Sequence, residues 1–396
     1  MSSVLSDIRV LDFGRYVAGP YCATLLGYLG AEVIRVERIG GGEDRRIAPV
    51  TKSGDDGAVF LQTSCNKKSI CLKLGTDGIQ DVLGKLVASA DVVVCNFPAQ
   101  TMGRLGLDLP SLQRHKADII LANVTAFGTT GPMAKQGGFD GVGQAMSGSM
   151  YITGETGAPV KAATPFVDYT TAVLTAFSVM AALRERDRTG KGQEISSTLL
   201  GTALAMFNSH LVEQGVLELD RVGTGNRVQT SAPSDVFETA DGHVLIHSPG
   251  DQIFKRCAEL IGKPEWVSDP RFKSDQSRGD HRDEICEAVA TWCKTQSTEE
   301  LLETLANHGI PAGPILSPRE ALVHEQTAAL DVLRWISYPD CENPAPIADM
   351  PVKFSESAVG ITTRPPLVGE HTTEVLKDLG LSRSDVDQLR DNGLIA

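Results

Sequence analysis

The sequence is poor in the features that mark nucleic-acid binding, secretion and membrane insertion. Aromatic residues make up only 5% of its 396 positions, too few for a platform on which bases stack. Basic runs are absent: 37 Lys and Arg stand against 50 Asp and Glu, a formal charge of -13, which disfavours a phosphate backbone as partner. The eight cysteines include no C-x-x-C pair; in a chain of this length scattered thiols fit a reducing compartment better than a disulfide framework. The opening stretch MSSVLSDIRVLDFGRYVAG places Asp7, Arg9 and Asp12 where a signal peptide needs an apolar run. The most apolar long segment, Thr170–Leu183, is too short to cross a bilayer core of about 30 Å. These features predict a cytoplasmic protein that engages neither nucleic acid nor membrane.

Familiar cofactor and nucleophile signatures are missing too. No G-x-G-x-x-G follows the first predicted strand, and Gly40-Gly41-Gly42 and Gly223-Thr224-Gly225 lack the Walker lysine and serine. No G-x-S-x-G elbow is present. His243 and His247 have the spacing of a zinc pair but fall on a predicted strand, where they lie about 13 Å apart. No metal is expected.

What is present is a folded core and an alternating pattern. The chain is 41% hydrophobic and 22% charged, as a globular protein should be. Ile8–Phe13, Glu32–Glu37, Lys68–Leu74, Asp91–Cys95 and Ile119–Val124 read as strands. Helical spacing separates them, for example Ile79, Val82, Leu83, Leu86 and Val87. The alternation predicts an α/β fold, a doubly wound, Rossmann-like large domain whose ligands meet the loops at the carboxyl edge of the sheet. A helix pair is expected over Tyr169–Arg188 and Ser197–Glu213. Composition shifts after Gly223, and Asp235–His247 reads as a hairpin around Asp241-Gly242. The expected organisation is a first part of the large domain at residues 1–200, a linker at 201–224, a smaller α+β domain at 225–325, and a return to the large domain over 326–396. Linkers are placed at the Gly223 region and at Pro311–Pro318.

One carboxylate stands out. Asp168 is the only charged residue between Lys161 and Arg184, just before the most apolar helix. It can serve as an N-cap, typically worth about 1 kcal/mol. It can also be a nucleophile, kept ionised by the helix N-terminus and stripped of water by apolar neighbours. The two roles are compatible, because a capping carboxylate keeps a second oxygen free.

Nine segments in order resemble the class III CoA-transferases, which include formyl-CoA:oxalate and carnitine CoA-transferases and are related to α-methylacyl-CoA racemase. They are LDFGRYVAGPYCATLLGYLGAEVIRVER at 11–38, NKKSICLKL at 66–74, CNFPAQTMGRLGL at 95–107, FGTTGP at 127–132, GGFDGVGQAMSG at 137–148, RTGKGQ at 188–193, ADGHVLI at 240–246, HGIPAGPI at 308–315 and PPLVGEHTTEVL at 365–376. The resemblance covers nearly the whole chain and implies an interlocked homodimer. It also implies that Asp168, shortly after SGSMYITG, is the catalytic nucleophile. Coenzyme A is implied as substrate, with no further cofactor. Arg38 and Arg104 are the implied phosphate contacts and Leu72, Lys73, Leu74 and Gly75 the adenine pocket. Val17, Ala18, Asn96, Phe97, Pro98, Gly137, Gly138, Phe139 and Asp140 are further implied CoA contacts. Each oxyanion needs backbone N–H donors, which the small-residue loops Val17–Gly19 and Gly137–Gly138 can offer.

Two departures bear on the reaction. Pro98-Ala99-Gln100 stands where many members carry Arg-Pro-Gly, and the glycine-rich loop of the oxalate enzymes has only His247–Asp251 as a weak counterpart. In the racemase branch the residue before Asp140 is a proton-shuttling histidine, whereas here it is Phe139, which exchanges no proton. Transfer of CoA from an acyl-CoA to a carboxylic acid is therefore expected, with succinyl-CoA and a dicarboxylate as a reasonable pair. A 2-methylacyl-CoA racemase or epimerase and an inactive CoA-binding homologue are the alternatives. Arg15 and Tyr16 either face an acceptor carboxylate, or Arg15 pairs with Asp12 or another structural acid.

Overall fold

Short runs of Val, Ile and Leu supply the central sheet. The computed structural model, which describes residues 3–396, forms them into β1 (Arg9–Asp12), β2 (Glu32–Glu37), β3 (Lys67–Cys71), β4 (Val92–Cys95) and β5 (Ile120–Thr125). Together with β6 (Glu194–Thr198) they make a parallel six-stranded sheet in the order β3-β2-β1-β4-β5-β6. All four residues of β4 are buried, as expected of a strand covered on both faces.

Side chains alternate between two cores. Leu11, Ile34, Ile70, Val93 and Leu121 face one side, against α3 (Gln80–Ala88). Val10, Val33, Val92, Val94 and Ile120 face the other, against α1 (Ala18–Tyr28) and a long helix over Phe166–Thr189. Between α1 and that long helix come α2 (Ala58–Gln62), α4 (Ala99–Leu105), α5 (Leu109–Gln113), α6 (Asp140–Met146) and α7 (Ser149–Thr153), so the long helix is α8. α8 is longer than the apolar segment that marks it in the sequence, and by length and composition it could cross a membrane. Its buried face, Ala172, Ala176, Val179 and Leu183, belongs to the core against α1.

The second expected helix of the pair, Ser197–Glu213, is instead the end of β6 followed by α9 (Leu199–Met206) and α10 (Asn208–Leu217). The switch is made by Thr198, whose hydroxyl accepts the N–H of Gly201 at 3.0 Å and starts α9.

The chain divides into two compact units. The first holds the described residues up to Ser147, Ala163–Asn208 and Ala328–Ala396. Its C-terminal portion includes β10 (Leu333–Ile336), β11 (Ala345–Ala348), α17 (Thr372–Asp378) and α18 (Arg383–Asp391). Val375, Leu376, Val386 and Ile395 join the core of the sheet.

The second unit holds Gly148–Ala162 and Ser209–Thr327. Gly148–Ala162 is tied to it by a bridge between Glu155 and Thr224. The expected hairpin forms as β7 (Ser234–Glu238) and β8 (His243–His247), with Phe237 opposite Val244. Its third strand, β9 (Ala312–Pro314), comes from the stretch expected as a linker. Helices α11 (Asp251–Leu260), α13 (Arg282–Cys293) and α14 (Thr298–Asn307) close a core around Phe254, Trp266, Phe272 and Leu301. The short helices α12 (Asp275–Asp280), α15 (Pro318–Val323) and α16 (Glu325–Leu330) complete the set.

Candidate active site

Strand order reverses between β1 and β4, and an open α/β sheet takes its ligands at that crevice. A cavity of about 450 Å³ opens there, walled by the loops after β1, β4 and β5. The loop after β1 is pinned from both sides. Asp12 accepts the N–H of Gly14 at 2.8 Å and the ammonium of buried Lys67 at 2.7 Å. A side chain on Gly14 would lie 2.7 Å from the ring of Pro20, so the turn into α1 closes only with glycine there. Asn96, directly after β4, accepts the N–H of Arg15 at 2.8 Å and donates to its carbonyl at 2.7 Å. This reciprocal pair fixes one loop to the other. Tyr16 then takes a left-handed backbone (φ 64°), a costly conformation for a bulky residue. Its ring meets that of Phe139 edge to face at 5.1 Å.

Val17 and Ala18 open α1, where the first N–H groups have no partner within the helix, and no side chain caps them. Both residues line the cavity.

Asp168 lines the same cavity from the first turn of α8. It is not the N-cap. Pro165 holds that position, and the capping acceptor is Asp140, which takes the N–H groups of Val167 at 2.7 Å and Asp168 at 3.2 Å on one oxygen. The other Asp140 oxygen accepts from Gln144. Asp168 is thereby released from capping. It is only 8% exposed, and among the described residues no donor is bonded to its carboxylate. Burial first, and the charge of Asp140 second, push its pKa up to about 7. The expectation that the helix end keeps Asp168 ionised is therefore corrected: burial outweighs the helix end, whose first amides Asp140 already occupies. The result is a largely buried carboxylate with no hydrogen-bond donor on it among the described residues and a pKa raised to about 7.

Val17, Ala18, Asn96, Phe97, Pro98, Gly137, Gly138, Phe139 and Asp168 share this cavity wall. The remaining implied residues lie elsewhere. Arg38 is exposed, donating to the Gly41 carbonyl at 2.7 Å and paired with Glu43 at 3.2 Å. Leu72 is buried in the sheet core and bridges to Ile395. Lys73, Gly75 and Arg104 are exposed, while Leu74 is half-buried. Gly75 lies beside Leu105 of α4, the neighbour of Arg104. Asp140 is buried under α8 as its cap.

Lys135, Glu43 and Leu199 line the cavity without having been singled out by sequence; the Gly-containing loops 38–46 and 125–140, at the carboxyl edge of the predicted sheet, hinted at the first two, and nothing pointed to Leu199. Arg15 also lines it, and its suggested partner Asp12 is occupied by Lys67. A second cavity of about 530 Å³ near Lys68 and Arg364 has both cations paired already, Lys68 with Glu32 and Glu374 and Arg364 with Glu370.

Residues 5–372 match the family model for CoA-transferase family III. The chain belongs to that family. The relatives of this family III CoA-transferase include the succinyl-CoA:mesaconate CoA-transferase of Haloarcula hispanica, 33% identical over 95% of this chain and 96% of the relative. The succinyl-CoA–D-citramalate CoA-transferase of Chloroflexus aurantiacus is 32% identical over 99% of this chain and 98% of its own. A CAIB/BAIF family protein from Brucella suis superposes with a TM-score of 0.84 at 29% identity, covering 96% of this chain and all (100%) of that structure. The protein is an enzyme of this class.

Proposed function

We propose that this enzyme moves CoA from succinyl-CoA to a second dicarboxylic acid, with Asp168 as the nucleophile. The observation that carries this is the carboxylate itself: buried, without a hydrogen-bond donor, and in the wall of the switch-point cavity. The succinyl-CoA-dependent transferases among its relatives support the choice of substrates.

In the proposed sequence an Asp168 oxygen attacks the thioester carbonyl carbon. The C–S bond breaks, its electron pair leaves on sulfur as CoA thiolate, and an acyl-aspartyl anhydride remains. The thiolate attacks the aspartyl carbonyl, releasing the donor acid as carboxylate and leaving an aspartyl-CoA thioester. The acceptor carboxylate attacks that thioester and expels thiolate. Attack of the thiolate on the acceptor's acyl carbon gives the new acyl-CoA and returns Asp168 as a carboxylate. No net proton is consumed. Burial strengthens the attack by withholding water, and N–H groups at Val17 and Ala18 are the proposed stabilisers of each oxyanion. The retained nucleotide arm keeps the thiolate at high effective concentration.

The proposed CoA path runs along Asn96–Pro98 and Gly137–Phe139, with Arg38 and Arg104 on the phosphates and Leu72–Gly75 at the adenine. Phe139 offers no second acid–base group, which disfavours racemisation. We also propose an interlocked homodimer; the exposed apolar side chains Val173 and Phe177 of α8 and Val216 of α10 supply surface for a partner. Eight free thiols support a cytoplasmic setting.

The test is Asp168→Ala, which should abolish transfer while leaving CoA binding within about threefold; appreciable residual transfer would overturn the assignment.

A further inference from the structure

Four charged side chains reach the cavity: Arg15, Glu43, Lys135 and Asp168. Glu43 is exposed and paired with Arg38, and Lys135 is exposed. Arg15 is different, half-buried and held in place. Its Nη1 donates to the Gly14 carbonyl at 3.0 Å and to those of Phe13 and Val36 at 3.4 Å. Its guanidinium lies over the ring of Phe97 at 5.6 Å, and Asn96 locks its backbone. Among the described residues no carboxylate is within ion-pair distance of it, and the Nε and Nη2 donors have no protein acceptor. Asp12 is held by Lys67 instead. Burial and the neighbouring charge of Arg35 push the Arg15 pKa down. Asp44, Glu37 and Asp12 act on it from beyond ion-pair distance and only partly offset this, so a half-buried cation with two free donors is left to receive an anion from the cavity.

We propose that Arg15 binds the carboxylate of the substrate that does not react, first that of the donor acyl group and then that of the acceptor acid. The proposal rests on Asp168 being the attacking carboxylate. One nucleophile and one fixed fork in one cavity mean that donor and acceptor occupy the same place in turn. Both must then carry a second carboxylate at a similar reach from the reacting carbon. The planar guanidinium suits that group because it can donate two parallel hydrogen bonds.

The test compares succinyl-CoA with butyryl-CoA, which has the same carbon count but ends in a methyl group. Each is given alone to the full-length wild-type enzyme, R15K and R15Q, with hydroxylamine present and labelling of the Asp168 peptide followed by mass spectrometry. Wild type should label faster with succinyl-CoA by about 10- to 100-fold, the effect of one charge-assisted pair. R15Q should bring that ratio close to one, and R15K should lower it by about threefold or more because the fork is lost. A wild-type ratio near one overturns the proposal. So does a folded R15Q that labels Asp168 with the wild-type ratio, the result expected if Arg15 held a CoA phosphate and slowed both thioesters alike. If R15Q does not fold, R15K decides: an unchanged ratio there overturns the proposal. Absence of label on wild-type Asp168 with either thioester overturns the nucleophile assignment and this proposal with it; label with an unchanged ratio overturns Arg15 alone.

Discussion

At the residue scale the proposed chemistry depends on two aspartates that divide one task. Asp140 satisfies the helix end, and Asp168, freed from capping, is left buried with a pKa near 7. The acidic limb of kcat/KM should therefore fall near pH 7, with activity lost as Asp168 protonates below it. Asp140→Asn keeps an acceptor for the helix but removes the like charge, so that limb should move to lower pH. An unmoved pH–rate profile in Asp140→Asn would contradict the coupling. The stability sign follows from the same shift. The folded-state pKa of Asp168 is raised above its unfolded value, so ionisation costs stability as pH rises from about 4 to about 7. Asp168→Asn should then be inactive yet more stable than wild type at pH 8, by up to about 4 kcal/mol, with the advantage shrinking towards pH 4. Urea denaturation at the two pH values measures it. The cap itself was not legible in the sequence, because Asp140 reaches amides 27 and 28 positions away; local spacing pointed to Asp168.

At the scale of elements, the strands that build the site were legible where burial on both faces demands unbroken apolar runs, as in VVVC and IILANV. The strand β6 was not: its sequence, EISST, is polar and only partly buried. It merges into the apolar start of α9, so helical periodicity masked it. The loops were legible as ligand-facing but their fastening was not. Asn96 looked like a contact for CoA; it also staples the loop carrying Arg15 and Val17. Asn96→Ala removes both bonds and leaves a backbone N–H and carbonyl without partners, costing about 1–3 kcal/mol. The KM for acyl-CoA should rise with it, as the loop loses its fixed position. Steady-state kinetics alongside thermal melting check this, and an unchanged KM would show that the staple does not hold the binding loop.

At the scale of the whole molecule, the sheet beside the site contains a buried charge network rather than an apolar layer. Glu37 on β2 accepts two hydrogen bonds from Arg45, at 2.7 and 2.8 Å, and lies 3.3 Å from Arg35. Burial alone would raise the Glu37 pKa, but Arg35 and Arg45 outweigh it and hold it at about 2. Its contribution to stability is present above its unfolded pKa and is lost as pH falls through about 4 towards about 2. Glu37→Gln takes one of two carboxylates from each of two buried guanidiniums, Arg35 keeping Asp44 and Arg45 keeping Asp56, and should cost about 1–3 kcal/mol, read as a lowered melting temperature. A near-neutral change would mean that the network relaxes or takes in water. The proposed dimer predicts a mass of twice 42.3 kDa by light scattering. The central claim is covalent, and heavy-oxygen transfer tests it most directly. When succinyl-CoA is turned over with an acceptor acid labelled at its carboxylate oxygens, the anhydride route passes one labelled oxygen to Asp168 and later to the released succinate. The account predicts label in the Asp168 peptide; label in succinate with none in the protein would mean that the acceptor attacks the donor directly.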